Sequence, residues 1–123
     1  MSFVVFATAA ILFQYMYFSF QSGAARGKAG LKAPAMTGDE NFERHARVHM
    51  NTAEQLIITL PAMWMCAFFF RPDVAAVGGL LFFVGRFIYR SAYVADPSTR
   101  TVGFVIGFFT NIGLILASVY GAV

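Results

Sequence analysis

Charge is scarce in this chain: nine lysines and arginines and six acids among 123 residues, 12% of the whole. That is about half the share a soluble domain uses to solvate its surface, which excludes most soluble folds. Cysteine is rarer still, and a single Cys66 excludes an internal disulfide framework. Its neighbours Met63, Trp64, Met65 and Phe68 supply no cation to lower a thiol pKa, so Cys66 reads as packing and not as a nucleophile. Internal repeats and low-complexity segments are missing too, which excludes a solenoid or a disordered tail. The net charge of +3 calls for no nucleic acid, because basic residues held at one membrane face produce the same bias.

What is present is apolar: 59% hydrophobic residues, including fifteen Phe, five Tyr and one Trp. A spanning helix needs about 20 mainly apolar residues, and four segments qualify, over 2–22, 42–70, 74–95 and 100–122. Gln14 is the one strongly polar residue before Phe20, while Arg71-Pro72-Asp73 and Asp96-Pro97-Ser98 break the chain between later spans. The first span reads as an anchor and not a cleaved leader, because no basic segment precedes it. The expected fold is an all-α membrane protein, a four-transmembrane-helix bundle forming one membrane domain over 1–123. Arg26, Lys28, Lys32, Arg44 and Arg47 cluster around the long first connection. That side is expected to face the cytoplasm, with both termini on the other. Gly103 and Gly107, and Ala117 and Gly121, put small residues four apart on the last span, a pattern for close helix packing.

Polar groups enter the membrane in two places. Relative to Arg47, Asn51 lies about 40° to one side of the second helix and Glu54 about 20° to the other, so the three form a stripe. On the third span Tyr89 and Tyr93 fall on the face of Arg86, as does Arg100 if the helix continues past Pro97. Arg86 lies about 15 Å from the Asp96 turn, near mid-membrane, where an ionised side chain costs about 2.5 kcal/mol or more. It needs an anionic partner, and Glu54 is the one intramembrane acid on offer. The excess of guanidinium over carboxylate implies a cavity that takes an anionic ligand. Arg47 and Arg90 snorkelling to headgroups, and an Arg86–Glu54 pair of purely structural purpose, are the plainer readings. His45 and His49 have the i,i+4 spacing of helical metal ligands but lack a third, so no metal is expected.

The pattern Phe42-Glu43-Arg44-x-x-Arg47-x-His49-x-Asn51-x-x-Glu54 resembles the second-span block of the membrane-associated proteins in eicosanoid and glutathione metabolism, the MAPEG family. Arg86-x-x-Tyr89-x-x-x-Tyr93, followed by Pro97-Ser98-x-Arg100, is similar to the third-span signature of its leukotriene-synthase and microsomal-transferase branch. The resemblance covers most of the chain. It implies a homotrimer with glutathione bound between subunits near the cytoplasmic face. By position, Arg26, Arg47, His49, Asn51, Glu54, Arg86, Tyr89 and Tyr93 match residues around the tripeptide, and Arg100 matches the arginine assigned to the thiol. His49, Gln55 and Gly27 stand where leukotriene synthases carry glutamine, tyrosine and a second arginine, which counts against leukotriene synthesis specifically.

The expected activity is therefore that of a membrane-bound glutathione transferase, also a peroxidase. It would use glutathione as co-substrate against hydrophobic electrophiles or lipid hydroperoxides dissolved among the membrane lipids. Three rivals stand beside it. One is a prostaglandin-synthase-like isomerase, favoured by His49 and disfavoured by Tyr89. Another is a proton-coupled exporter built on Glu54, disfavoured by the surrounding arginines. The third is an idle structural subunit of a larger complex.

Overall fold

The computed structural model describes residues 1–123 and contains four long helices: α1 (Ser2–Ala29), α2 (Glu40–Phe69), α3 (Pro72–Ala95) and α4 (Thr101–Ala122). A short 3-10 turn over Pro97–Thr99 separates α3 from α4. All four helices are long and apolar enough to cross a membrane, the architecture of an integral multi-pass membrane protein.

α1 runs seven residues past the expected end at 22. Ala24, Ala25, Arg26, Lys28 and Ala29 are good helix formers, and Gly30 ends the helix at φ 71°, its N–H returning to the carbonyls of Arg26 and Gly27. At 1.5 Å per residue its 28 residues span about 42 Å, so the last turns, with Arg26 and Lys28, reach beyond the hydrocarbon. Asp39 caps α2, its carboxylate accepting from the Phe42 N–H at 2.9 Å. Glu43 accepts from the Gly38 N–H at 3.3 Å, anchoring the incoming chain to the same turn. Pro72 opens α3 at a position where its missing N–H costs nothing.

The buried core joins Val4, Ile11, Met63, Cys66, Phe82 and Leu114, one layer drawn from all four helices. Phe3, Phe13, Phe20 and Ile57 are among the large apolar side chains left outside, as expected for a surface solvated by lipid. Polar cross-links hold the bundle where the hydrophobic effect is weak: Gln14 Nε2 donates to the Phe83 carbonyl at 2.7 Å, Thr59 Oγ1 to Asn111 Oδ1 at 2.7 Å, and Trp64 Nε1 to Thr8 Oγ1 at 3.1 Å. The small residues of α4 serve packing within the chain. A Cβ on Gly103 would stand 2.4 Å from the Tyr89 backbone nitrogen, and one on Gly121 would stand 2.0 Å from the Phe69 carbonyl oxygen. Gly107 leaves ordinary space, 3.8 Å from Phe82, so the motif is tight at one of its two glycines.

Candidate functional site

The cap at Asp39 sets the register of α2, and that register decides where Arg44, Arg47 and Asn51 leave the helix. Arg44 crosses to the end of α3, donating from Nη1 to the carbonyls of Val94 and Ala95 at 3.0 Å each. It also pairs with Glu40 one turn back. Two carbonyls at a helix C-terminus thereby gain a cationic donor, which suits both their unmet hydrogen bonds and the helix dipole. This clamp brings the N-terminal part of α2 beside the last turns of α3.

Arg86 is 1% exposed. Its Nη2 donates to Asn51 Oδ1 at 2.9 Å and Thr52 Oγ1 at 2.8 Å, and the guanidinium lies 4.1 Å from the centroid of the Tyr89 ring. The Thr52 hydroxyl donates its own hydrogen bond to the Val48 carbonyl at 2.7 Å, leaving its oxygen free to accept. Buried Tyr89 then stacks on Tyr93, centroids 5.6 Å apart at 24°. The charge is met by two neutral oxygens and a π face, not by a carboxylate. Glu54, the expected partner, is exposed. Arg86 reaches α2 between Asn51 and Thr52, and at 100° per residue Glu54 points about 110° away from that direction.

An open cavity of about 460 Å³ lies beside this ladder, lined by Met36, Glu40, Arg44, Arg47, Tyr93 and Pro97 among others. The volume suits a small-molecule site. Glu40 is occupied by Arg44 and Glu43 by the Gly38 amide, which leaves Arg47 as the exposed cation of the wall without a carboxylate partner. Arg100 does not extend the α3 stripe, because the helix ends at Asp96 and the 3-10 turn intervenes. Asp96 caps that turn through the Ser98 N–H at 3.1 Å and the Ser98 hydroxyl at 2.9 Å, and Arg100 Nη1 donates to the Pro97 carbonyl at 2.8 Å. The turn, not helical continuity, sets its position.

Five of the expected residues thus come together, Asn51, Arg86, Tyr89 and Tyr93 by direct contact and Arg47 with Tyr93 on the cavity wall, to which Arg100 is tied through the Pro97 carbonyl. Three do not. Arg26 lies over Phe42, 4.5 Å from the ring centroid, and donates to the Ala35 carbonyl of the first connection. His49 stacks against Tyr15 of α1 at 4.8 Å. Glu54 faces outward on the side of α2 that carries Arg47. Thr52 and the Arg44 clamp were not singled out from the sequence. Arg44 had a signal, one turn from Arg47 in the same motif, whereas Thr52 resembles any other membrane threonine.

An all-helical, multi-pass membrane protein with arginines and stacked tyrosines gathered at one end of the bundle is the class that fold and site define. The chain belongs to the MAPEG family, whose description matches residues 4–120. It is 37% identical over 111 residues to an uncharacterised protein of Synechocystis, covering 90% of this chain and 81% of that one. It is 35% identical over 91 residues to human microsomal glutathione S-transferase 2, covering 74% of this chain. To bovine leukotriene C4 synthase it is 32% identical over 84 residues, covering 68%. The matched regions span 62% and 56% of those two relatives' own lengths.

Proposed function

We propose that this protein is a membrane-bound glutathione transferase whose site is the Arg47–Tyr93 cavity. The observation that carries the reading is the placing of Arg47 and Tyr93 on the wall of an open cavity, with Tyr93 stacked on the Tyr89 ring that covers the Arg86 guanidinium, in a MAPEG chain. Glutathione bears two carboxylates and one ammonium, so a wall that offers the unpaired Arg47 guanidinium beside carboxylates complements it. Arg47 binds a carboxylate and Tyr93 donates a hydrogen bond, while Glu54, outside the cavity wall on the Arg47 side of α2, receives the ammonium where the ligand extends past the wall. Arg86 acts one step back: its polar contacts go to Asn51, Thr52 and Tyr89, so it holds Asn51 and Tyr89 in place as a positioning residue.

Arg100 stabilises the thiolate. A thiol with a pKa around 8.5 is only a few per cent ionised at neutral pH, and lowering it by two units requires about 2.7 kcal/mol of preference for the anion. The thiol proton passes to water, the sulfur attacks the electrophilic carbon, and the carbon–leaving-group bond breaks with its electron pair. The same thiolate attacking a lipid hydroperoxide gives an alcohol and a sulfenic acid, which a second glutathione converts to a disulfide and water. Holding both reactants at the bilayer surface raises their encounter frequency and explains the membrane location.

Arg26 and His49 fit this reading through assembly. They lie away from the cavity of their own subunit, and in a homotrimer they would meet the cavity of the next, completing the site at the subunit boundary on the cytoplasmic side. The test uses detergent-purified protein titrated with glutathione. Ultraviolet thiolate absorbance should rise at neutral pH, with conjugation of an aromatic chloride. Arg100→Ala should abolish the absorbance while retaining glutathione binding; wild-type thiolate in that variant removes the assigned role.

A further inference from the structure

A second cavity, also about 460 Å³, opens on another side of the bundle between α1, the start of α2 and α3. Its wall carries Lys28, His45 and Arg90 with Gln21, Tyr17 and Phe20, and no carboxylate. Arg90 Nε donates to Gln21 Oε1 at 3.0 Å, and Gln21 Nε2 in turn donates to the Tyr17 hydroxyl at 3.0 Å. The glutamine chain orients the guanidinium and leaves its two terminal nitrogens without a protein acceptor. The chain's two ion pairs, Arg44–Glu40 and Arg71–Asp73, lie elsewhere, so these cations are uncompensated. Below them, toward the bilayer centre, Phe20, Met16 and Phe13 are all more than 60% exposed along α1.

We infer that this cavity binds an anionic phospholipid, its phosphate held by Arg90 and Lys28 with His45 alongside, and its acyl chains lying against the apolar strip of α1. Three observations select this ligand. The cationic groups sit at the end of the bundle where α1 and α2 leave the hydrocarbon, the depth of a headgroup. The wall is polar above and continuous with exposed aromatic surface beneath, matching an amphiphile and not a free anion. The cavity is also separate from the proposed glutathione cavity, since the two share no lining residue. The inference therefore stands or falls independently of the catalytic reading.

The experiment is native mass spectrometry of the full-length protein in detergent, titrated with dioleoyl phosphatidylglycerol or dioleoyl phosphatidylcholine. Phosphatidylglycerol should be retained preferentially. Lys28→Gln and Arg90→Gln should each weaken its binding by about fivefold, the effect of one basic side chain near an anionic lipid surface. Arg71→Gln, at the opposite end of the bundle, should change nothing. Lys28 is exposed and unbonded, so its variant carries the test if Arg90→Gln fails to fold. Equal retention of the two lipids, or an unchanged preference in Lys28→Gln, overturns the inference. Displacement of the lipid by inorganic phosphate overturns the lipid assignment in favour of a free-anion site.

Discussion

Arg86 shows how a charge is kept inside a membrane bundle without a counter-ion. Its bonds to Asn51 and Thr52 and its contact with the Tyr89 ring divide the guanidinium among partners on two helices. Removing it leaves Asn51 Oδ1 and Thr52 Oγ1 facing a gap, so Arg86→Met should destabilise the fold by about 2–4 kcal/mol and weaken glutathione binding as well. Thermal unfolding in detergent and a glutathione titration check the two effects. Glu54→Gln makes the contrast. Exposed and unbonded, Glu54 can change without moving the unfolding midpoint, while glutathione affinity should fall because the ammonium loses its partner. A large stability loss in Glu54→Gln would show that the residue has a structural role after all.

Among the elements, the contact of α3 with α4 and the turn between them govern the site. Gly103 lies against the Tyr89 backbone so closely that a Cβ would be 2.4 Å from its nitrogen and 2.6 Å from its Cα. Backbone cannot swing aside, so Gly103→Ala should push α4 from α3, destabilise the bundle by more than about 2 kcal/mol and disturb the Tyr89–Tyr93 stack. Gly113→Ala, where nothing lies within 4 Å, should be neutral; equal midpoints for the two variants would contradict this packing. In the turn, the Ser98 N–H and hydroxyl, with Arg44 adding charge, hold the Asp96 carboxyl below the ordinary carboxylate range. A folded-state pKa below the unfolded one, about 3.9, means that Asp96 stabilises the fold above that value. The contribution is lost as pH falls through the lower folded one. Unfolding midpoints followed from about pH 6 to pH 3 should fall less steeply in Asp96→Asn than in the wild type. The same acid titration should loosen Arg100, which hangs on the Pro97 carbonyl of this turn.

For the whole molecule, the spread of the expected residues over different sides of the subunit carries the assembly reading. Arg47, Tyr93 and Pro97 line one cavity, with Arg100 bonded to the Pro97 carbonyl, whereas Arg26 and His49 are held by Phe42 and Tyr15. If neighbours share sites, Arg100→Ala and Arg26→Ala subunits, each weak alone, should regain activity when mixed, because some boundaries then carry neither change. Activity no greater than the mean of the two variants alone would assign each site to one subunit, and the particle mass in detergent would give the stoichiometry directly.

Much of this was legible in one dimension. Hydrophobicity is a local property summed over about 20 residues, so the four membrane segments and the basic first connection follow from the chain without any coordinates. Helical period is local too, which is why Arg47, Asn51, Arg86, Tyr89 and Tyr93 could be named before any packing was known. The partner of each polar group was a different matter. Glu54 and Asn51 are near neighbours on the α2 surface, and the choice between them as the ligand of Arg86 depends on how far α2 is rotated toward α3. The close seat of Gly103 on Tyr89 and the Arg44 clamp help set that geometry, both of them contacts between residues far apart along the chain. The route of Arg100 through a capped turn, and the second cluster around Arg90, depend in the same way on helix crossing and rotation, which no window of neighbouring residues encodes.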